Sequence, residues 1–474
     1  MDHIRSLYDQ SQTGKLVATV ITPSFRVREF SQRHPTFIIV AIVALVYCAS
    51  PAVNVGDSRM SLPTAVSMYR SADLTIDEFA NVSALSNEYD VVSHGEHLVM
   101  GYPWPPSLFL VPIAAIADLV PGIDPGTTTL TSPNRTWIYE VPVAALLMGV
   151  AVALFFSAAR AYVGRVSRSV LIATASLAFG TVWWSASSRA LTQHAAAAPF
   201  VALVLYLLVR SRENKRFVPW LGAAVAGAYV MRPTAAVLVV VVTLWVLLRH
   251  RDRFIAYLCR ASLVAVPFIV VNLATYHSML PPYYAGNKLG GSSEPLQAVA
   301  GLFVSPSRGI LWNSPLVLLA AVGFVAVVRK RRLDSVDAVF GVFIFATFLV
   351  VAIWPNWWGG STFGPRLLSE IMPFVCWYLL PVFEGAWNAK KIVVACCSML
   401  IGFSVLVNSQ GALMRSTLCW NSVPTFIDTD SKRLWDWGDP QPLRAFRDFV
   451  NGAGIRQVTI GSCKEAGGQT INGG

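Results

Sequence analysis

The chain contains the apolar run TFIIVAIVALVYCASPAV at residues 36–53, directly followed by NVGDSR at residues 54–59. A run of this length predicts a membrane-spanning helix, because about 20 apolar residues cross a bilayer. Asp57 follows the run by a few residues. A carboxylate at the mouth of a membrane helix is typical of a functional site. The alternative is that Asp57 caps a helix that begins near Ser61.

The composition of the whole chain is that of a membrane protein. Of its 474 residues, 54% are hydrophobic and 13% are charged, and the mean hydropathy is +0.54. A soluble protein carries about 25% charged residues. The net charge of +11 is compatible with a nucleic-acid partner. The basic residues, however, cluster in short connections between apolar runs, where they set membrane topology. We therefore expect no nucleic-acid partner.

Apolar runs recur through most of the chain and predict an all-α polytopic membrane protein with about eleven transmembrane helices. The predicted spans are residues 36–53, 139–158, 169–184, 194–209, 218–231, 233–248, 260–276, 311–328, 336–354, 366–383 and 391–407. Clusters of Lys and Arg occupy the connections at residues 160–168, 210–216, 249–253, 329–332 and 390–391. Because such clusters remain in the cytoplasm, their alternation predicts a cytoplasmic N-terminus and an extracytoplasmic C-terminus.

One apolar run, at residues 105–120, does not fit this alternation as a span. It is short, and the sequence PWPP at residues 103–106 leads into it. A crossing here would reverse the sidedness of the later basic connections, so we predict a re-entrant or interfacial helix. Residues 61–70 carry apolar side chains at helical spacing and predict a second helix on the membrane surface.

The spans divide the chain into three parts. Residues 1–35 are polar and basic, lack a signal-peptide cleavage pattern, and are expected to form a cytoplasmic tail. Residues 36–407 form the transmembrane domain, which includes a large first extracytoplasmic loop at residues 54–138. Residues 408–474 form an extracytoplasmic tail.

The tail contains two features of interest. Cys419 and Cys463 are the two cysteines that it holds, and we predict a disulfide between them because an oxidising compartment allows the pair to form. The sequence WDWGDPQ at residues 435–441 places two Trp and two Asp close together. These side chains are suited either to binding sugar hydroxyls or to forming a compact turn.

The first loop holds further polar residues. Asp77 and Glu78 form an acidic pair, which is either a secondary acidic site or a helix cap. His94 and His97 have a spacing that a metal site can use. No third ligand is indicated, so solvated loop histidines are favoured, and a divalent metal is doubtful.

Five cationic residues lie on the predicted outer face, and the positive-inside rule does not explain their presence there. They are Arg189, Arg232, Lys288, Arg308 and Arg366. Lipid headgroups are an alternative explanation for any one of them. Several together, in turns whose Gly and Ser backbone N–H groups also bind anions, predict a phosphate site.

The sequence WPNWWGGSTFGPR at residues 354–366 is the densest signal in the chain. Trp357 and Trp358 could form an interfacial aromatic belt. A belt does not need the Gly-Gly-Ser and Gly-Pro-Arg that follow, so the loop indicates a carbohydrate or polyprenyl-phosphate pocket. Glu370 lies one helical turn after Arg366, and we expect it to orient that guanidinium.

These motifs together resemble the GT-C superfamily of integral-membrane glycosyltransferases, which includes the protein O-mannosyltransferases and the aminoarabinose transferases. The resemblance covers roughly residues 36–410 and rests on four elements. They are the acidic residue that opens the first outer loop (Asp57), the helix led by Pro105-Pro106, the sequence SPSRG at residues 305–309, and the sequences WWGG and GPR within residues 357–366.

The resemblance implies a transmembrane catalytic domain and a polyprenyl-phosphate-sugar donor in the plasma (inner) membrane. It implies inverting transfer to a glycan, lipid or protein acceptor on the outer face. Asp57 would be the catalytic carboxylate, and Arg308 and Arg366 would lie near the lipid phosphate, with Arg189 and Lys288 as further candidates. Tyr102, His194, Trp357, Trp358 and Glu370 are candidates for the sugar or lipid pocket.

The chain departs from many relatives in one respect. The next outer loop, at residues 185–194, has no second carboxylate. A metal held between two acidic loops is therefore doubtful, and Arg189 or His194 is expected in that place.

The competing function is a transporter or flippase of lipid-linked sugars. A transporter usually carries ionisable groups along a path through its spans. Here the predicted span interiors carry almost no charge, and the candidate residues collect on one face. The pattern therefore favours an enzyme.

Overall fold

The computed structural model describes residues 34–54, 56–82, 90–122, 124–127, 137–285, 291–292, 294–386, 391–460 and 463. Lys288 and the tail at residues 1–33 lie outside these described residues. The described chain is predominantly helical.

The N-terminal part holds one apolar helix and a small folded loop. Its elements are α1 (Pro35–Cys48), α2 (Ser61–Arg70), β1 (Val91–His94), β2 (His97–Met100) and α3 (Val111–Asp118). The two strands form an antiparallel hairpin in which Val91 pairs with Met100 and His94 with His97. Helix α3 has eight residues and a length of about 12 Å, which is too short to cross a bilayer core of about 30 Å. The re-entrant or interfacial placement of residues 105–120 stays a prediction.

The other helices follow the apolar runs. Those before the second outer loop are α4 (Trp137–Val163), α5 (Arg168–Phe179), α6 (Gln193–Ser211), α7 (Trp220–Met231), α8 (Ala236–Arg249) and α9 (Phe254–Tyr276). The rest are α10 (Pro282–Ala285), α11 (Pro295–Val304), α12 (Ile310–Asn313), α13 (Leu316–Arg329), α14 (Ser335–Ala352), α15 (Met372–Trp377), α16 (Leu379–Ala386), α17 (Lys391–Leu413), α18 (Ser416–Cys419), α19 (Arg444–Val450) and α20 (Ile455–Ile460).

The helices coincide with the eleven predicted spans, with α15 and α16 together forming one of them. Six helical segments in the described residues are long and apolar enough to cross a membrane by length and composition. The others, including α1, α5 and α13, are apolar but shorter than 18 residues. The chain is therefore a helical membrane protein, and the number of crossings remains an expectation.

Close helix packing depends on small residues at the crossings. α4 packs against α1 and α6, and α7 packs against α6 and α9. A Cβ atom added at Gly222 of α7 would lie 2.0 Å from the carbonyl oxygen of Tyr257 on α9. Such close approach of two backbones is the usual way in which membrane helices gain van der Waals contact.

The tail packs against the segments that follow α11 and α14, where Leu434 contacts Ser305 and Asn421 contacts Thr362. Cys419 and Cys463 are joined by a disulfide, with their Cα atoms 5.2 Å apart. In the WDWGDPQ segment, Asp436 accepts a hydrogen bond from the Gly438 N–H at 2.8 Å, and Asp439 pairs with Arg444 at 2.9 Å. These contacts favour the compact-turn interpretation of this segment over sugar binding.

Arg308 anchors the tail to the loop at residues 354–366. Its fully buried guanidinium donates to the Trp358 carbonyl at 3.0 Å and to Asn421 Oδ1 at 2.7 Å, and also to the side-chain oxygen of Gln441. Gln441 in turn accepts from the Gly364 N–H at 3.2 Å. Burial, followed by repulsion from Arg366, lowers the pKa of Arg308 to about 9, so the group remains cationic at neutral pH.

We predict that Arg308→Met releases the tail from this loop. The substitution leaves buried acceptors on both segments unsatisfied, at about 1–3 kcal/mol each. Limited proteolysis of the detergent-solubilised protein should therefore cut the region of residues 414–460 at least tenfold faster. Arg456→Met, which removes an exposed arginine of the same tail, is the matched control. Equal cleavage rates for the two variants would contradict the anchoring role.

Candidate active site

A cavity of about 690 Å³, including its open mouth, lies where α6 and α8 begin and where α7 and α14 end. Five of the predicted site residues line it: Asp57, Tyr102, His194, Arg366 and Glu370. Further lining residues include Gln193, Arg232, Tyr283, Tyr284, Val237, Val350, Val351 and Trp354. The cavity therefore joins residues that are more than 300 positions apart in the sequence.

The position of Asp57 follows from how the chain leaves α1. Arg189 is fully buried and donates to the carbonyl oxygens of Tyr47 at 2.9 Å and Ser50 at 3.0 Å, which closes the C-terminal end of α1. The Asn54 N–H then donates to the Arg189 carbonyl at 3.3 Å. Asp57 follows in a short 3₁₀ turn, Gly56–Ser58.

Asp57 does not cap α2. The residue at the cap position of that helix is Met60, and no side chain accepts a capping hydrogen bond there. The Asp57 carboxylate instead pairs with Arg366, with Oδ2 and Nη1 2.6 Å apart. Both side chains keep some exposure, 22% for Asp57 and 16% for Arg366, so a ligand can reach the pair.

A second ion pair lies deeper in the same cavity. Glu370 pairs with Arg232, and both side chains are almost fully buried. The expectation that Glu370 orients Arg366 was therefore wrong. Helical spacing placed Glu370 beside Arg366, but the chain from Arg366 to Ile371 is a 3₁₀ helix, which changes the direction of successive side chains.

Neutral polar groups complete the polar wall. His194 Nδ1 lies 2.7 Å from the Ser369 hydroxyl, and the Tyr284 hydroxyl donates to Gln193 Oε1 at 2.8 Å. Burial raises the pKa of Tyr284, which keeps that hydroxyl protonated. Tyr102 stacks against Tyr283 with ring centroids 4.3 Å apart.

Two predicted phosphate-binding arginines lie outside the cavity. The guanidinium groups of Arg189 and Arg308 are fully buried and bond to protein oxygens, as described above. Burial lowers the pKa of Arg189 to about 10, and it remains cationic at neutral pH. The geometry corrects the assignment of both residues, because these guanidiniums stabilise turns and are not directed at a ligand.

Trp357 and Trp358 also lie outside the cavity lining. Trp357 packs on α11 so closely that a Cβ at Gly301 would lie 2.1 Å from its ring. Trp358 donates its indole N–H to Asp428 at 2.7 Å. The tryptophan of this loop that lines the cavity is Trp354.

The acidic pair of the first loop has structural contacts. Asp77 accepts from the Leu98 N–H at 2.7 Å and lies 2.6 Å from His97 Nδ1, and Glu78 accepts from the Ser67 hydroxyl at 2.9 Å. The hydrogen bond to Asp77 raises the pKa of His97. His94 stacks against His277. In the described part of the chain, no group of three or more His, Cys, Asp or Glu is arranged to hold a metal ion.

The two ion pairs predict different responses to substitution. Glu370→Gln leaves the Arg232 charge buried without a counter-ion, which should lower the free energy of unfolding by about 3–5 kcal/mol. Arg366→Gln disturbs the more exposed pair and should lower it by about 1 kcal/mol or less. Reversible unfolding of the two variants in detergent measures the difference. Similar losses would contradict the greater burial of the Arg232–Glu370 pair.

Comparison with known proteins yields a family match in the transmembrane region. Residues 129–274, less than half of the chain, match the family model of dolichyl-phosphate-mannose-protein mannosyltransferases. No curated protein sequence matches the chain.

Two solved structures are similar in shape. One is ArnT from Cupriavidus metallidurans bound to undecaprenyl phosphate, with a TM-score of 0.48, 15% identity, and coverage of 83% of this chain and 70% of that one. The other is an Archaeoglobus fulgidus oligosaccharyltransferase tethered with an acceptor peptide, with a TM-score of 0.49, 11% identity, and coverage of 87% of this chain and 60% of that one. Over residues 129–274, the chain is therefore similar to the protein mannosyltransferases, one of the groups that its motifs resemble.

Proposed function

We propose that this protein transfers a sugar from a polyprenyl-phosphate donor to an acceptor hydroxyl on the extracytoplasmic face of the membrane, with inversion at the anomeric carbon. The observation that carries the proposal is the Asp57–Arg366 pair on the wall of a cavity at the outer helix ends. The pair brings a base and a phosphate-binding cation to one place. The family match supports a lipid-linked donor of this type.

The cavity lining contains both polar and apolar side chains, which suits such a donor. Val237 of α8, Val350 and Val351 of α14, and Trp354 supply most of the side formed by α8 and α14, where Thr234 and Thr347 also lie. The first isoprene units fit against this side, because a membrane-embedded chain must enter between helices. The phosphate then lies toward Arg366 and the sugar toward His194, Gln193 and the tyrosines.

Arg366 has the role of stabilising the leaving group. Departure of a polyprenyl phosphate breaks the bond between C1 and the phosphate oxygen and leaves a phosphate monoester. This group needs no proton but needs stabilisation of its charge, which a guanidinium in a water-poor cleft supplies. The bound phosphate competes with Asp57 for Arg366, and this exchange releases the carboxylate for its own step.

Asp57 has the role of the general base. The acceptor oxygen forms a bond to C1 while its proton passes to the Asp57 carboxylate. The attack comes from the face of the sugar opposite the leaving phosphate oxygen, which inverts the anomeric carbon. Base catalysis by a positioned side chain contributes about 10²–10⁴-fold. Glu370 is held by Arg232 and therefore serves to fix that guanidinium inside the cavity.

The domain boundaries follow from the same proposal. Residues 36–407 contain the cavity-lining groups and form the transmembrane catalytic domain, with residues 54–138 as its first outer loop. The described part of the tail, residues 408–460 and 463, would cover this domain from outside. The sidedness rests on the alternation of the basic connections, which puts residues 1–35 in the cytoplasm.

A flippase is less compatible with where the described charges lie. The described buried ions Glu140, Arg232, Asp337 and Glu370 lie near the ends of helical spans. A translocation path would instead carry polar groups toward the middle of the spans.

Asp57→Asn tests the catalytic assignment. We expect it to reduce release of polyprenyl phosphate from polyprenyl-phosphate sugars by about 10²-fold or more, while donor binding remains measurable. Asp73→Asn, which alters an exposed carboxylate of the same loop outside the cavity, should retain the wild-type rate.

Two results would contradict parts of this proposal. Undiminished turnover by Asp57→Asn would remove Asp57 as the base. Movement of lipid-linked sugar across vesicles by a wild-type protein that releases no polyprenyl phosphate would replace the enzyme with a transporter.

A further inference from the structure

The two polar walls of the cavity come from separate parts of the chain and need to be held at a fixed separation. One wall is the turn Gly56–Ser58 that carries Asp57. The other is the beginning of α6, where Gln193 and His194 line the cavity. The separation of these walls decides how far the Asp57 carboxylate lies from a sugar bound against His194.

Glu140, in the first turn of α4, contacts both walls and does not itself line the cavity. Its Oε2 atom accepts hydrogen bonds from the Ser58 hydroxyl, next to Asp57, and from the Leu191 N–H at 3.1 Å, two residues before Gln193. A single oxygen atom therefore links the base-bearing turn to the beginning of α6.

Glu140 is completely buried, and one of its two carboxyl oxygens lacks a described hydrogen-bond partner. The side chain is 0% exposed, and its other oxygen, Oε1, has no hydrogen-bond partner among the described residues. A buried polar group that is incompletely hydrogen-bonded destabilises a fold by about 1–3 kcal/mol. Retaining such a group beside a cavity suggests a contribution to function that packing alone would not require.

Further contacts lie on the N-terminal side of the turn. Asn54 donates its backbone N–H to Arg189 and its side-chain amide to the Ser361 carbonyl at 2.9 Å. The Ser58–Glu140 hydrogen bond acts on the other side of Asp57. Together these contacts hold the residue from both directions.

We infer that Glu140 is a positioning residue for the transfer reaction, which sets the distance between Asp57 and the sugar-binding wall through its paired hydrogen bonds to Ser58 and Leu191. The inference rests on the proposed function. It assigns Glu140 no contact with the substrate and no proton transfer. Substitution of Glu140 should therefore change the rate of the chemical step. The role requires a side-chain oxygen that accepts hydrogen bonds, but it does not require a negative charge on that side chain.

Substitutions of Glu140 separate these roles. Glu140→Ala should lower kcat by about 10²-fold with a donor KM within about threefold of wild type, because misplacement by about 1 Å has an effect of this size. Glu140→Gln should restore most of kcat, since an amide oxygen can accept both hydrogen bonds. The pH profile of kcat/KM for Glu140→Gln should match that of the wild type.

A double-mutant cycle tests the connection to the Asp57 turn. Ser58→Ala should lower kcat about tenfold, and adding it to Glu140→Ala should lower kcat no further, because both substitutions break the same link. Glu384→Ala is the matched control. Glu384 also accepts a hydrogen bond from a serine, Ser169, but lies outside the cavity lining, so its loss should leave kcat unchanged.

The outcomes distinguish this inference from the proposed function. Absence of transfer by the wild-type protein would overturn both. Transfer that Asp57→Asn abolishes and Ser58→Ala leaves unchanged would overturn only the role of Glu140. A Glu140→Gln variant as inactive as Glu140→Ala would overturn positioning in favour of charge or proton transfer. The milder Ser58→Ala and Glu140→Gln variants keep the test decisive even if Glu140→Ala does not fold.

Discussion

The turns around the cavity depend on hydrogen bonds to backbone carbonyl groups that have no partner within a helix. The chain leaves its helices there in non-helical turns, and each buried carbonyl in such a turn needs a donor from elsewhere in the protein. Arg189 supplies donors to the carbonyls at the end of α1, and Arg308 supplies them to the loop that leads to Arg366. These two buried cations therefore help to fix the turns that carry Asp57 and Arg366.

The cavity contains two ion pairs that differ in burial and therefore in how easily they separate. The Arg232–Glu370 pair is buried, so separating it requires an uncompensated charge in a water-poor environment. The Asp57–Arg366 pair is partly exposed, and an incoming phosphate can take the place of the carboxylate. The first pair therefore preserves the shape of the site, and the second is the one suited to exchange partners during a reaction.

Apolar runs alone were enough to predict the helical fold, because a bilayer requires a long apolar segment wherever the chain crosses it. The helix Ser61–Arg70 also followed from the spacing of its apolar residues. Asp57, Arg366 and His194 could be selected because they lie on the predicted outer face, in segments whose polar residues the topology rule does not explain.

The partners of these residues could not be predicted in the same way. Arg189 and Arg308 looked like anion-binding residues because their acceptors lie up to 142 positions away, where no local pattern identifies them. Glu370 lies near Arg366 in sequence but bonds to Arg232, 138 positions distant. Glu140 was not selected from the sequence, because its partners Ser58 and Leu191 lie 82 and 51 positions away. The tail segment containing Gln441 gave no sign that it supports the loop before Arg366.

The contact between Gln441 and that loop has a consequence for biosynthesis. All the cavity-lining residues lie between Asp57 and Glu370, so they are translated before the tail. The loop that presents Arg366 nevertheless gains its bonds to Gln441 and Asn421 only when the tail has folded over it. A growing chain therefore contains every cavity-lining residue before it contains Asn421 and Gln441, so the loop at Arg366 gains these stabilising bonds only at a later stage of synthesis.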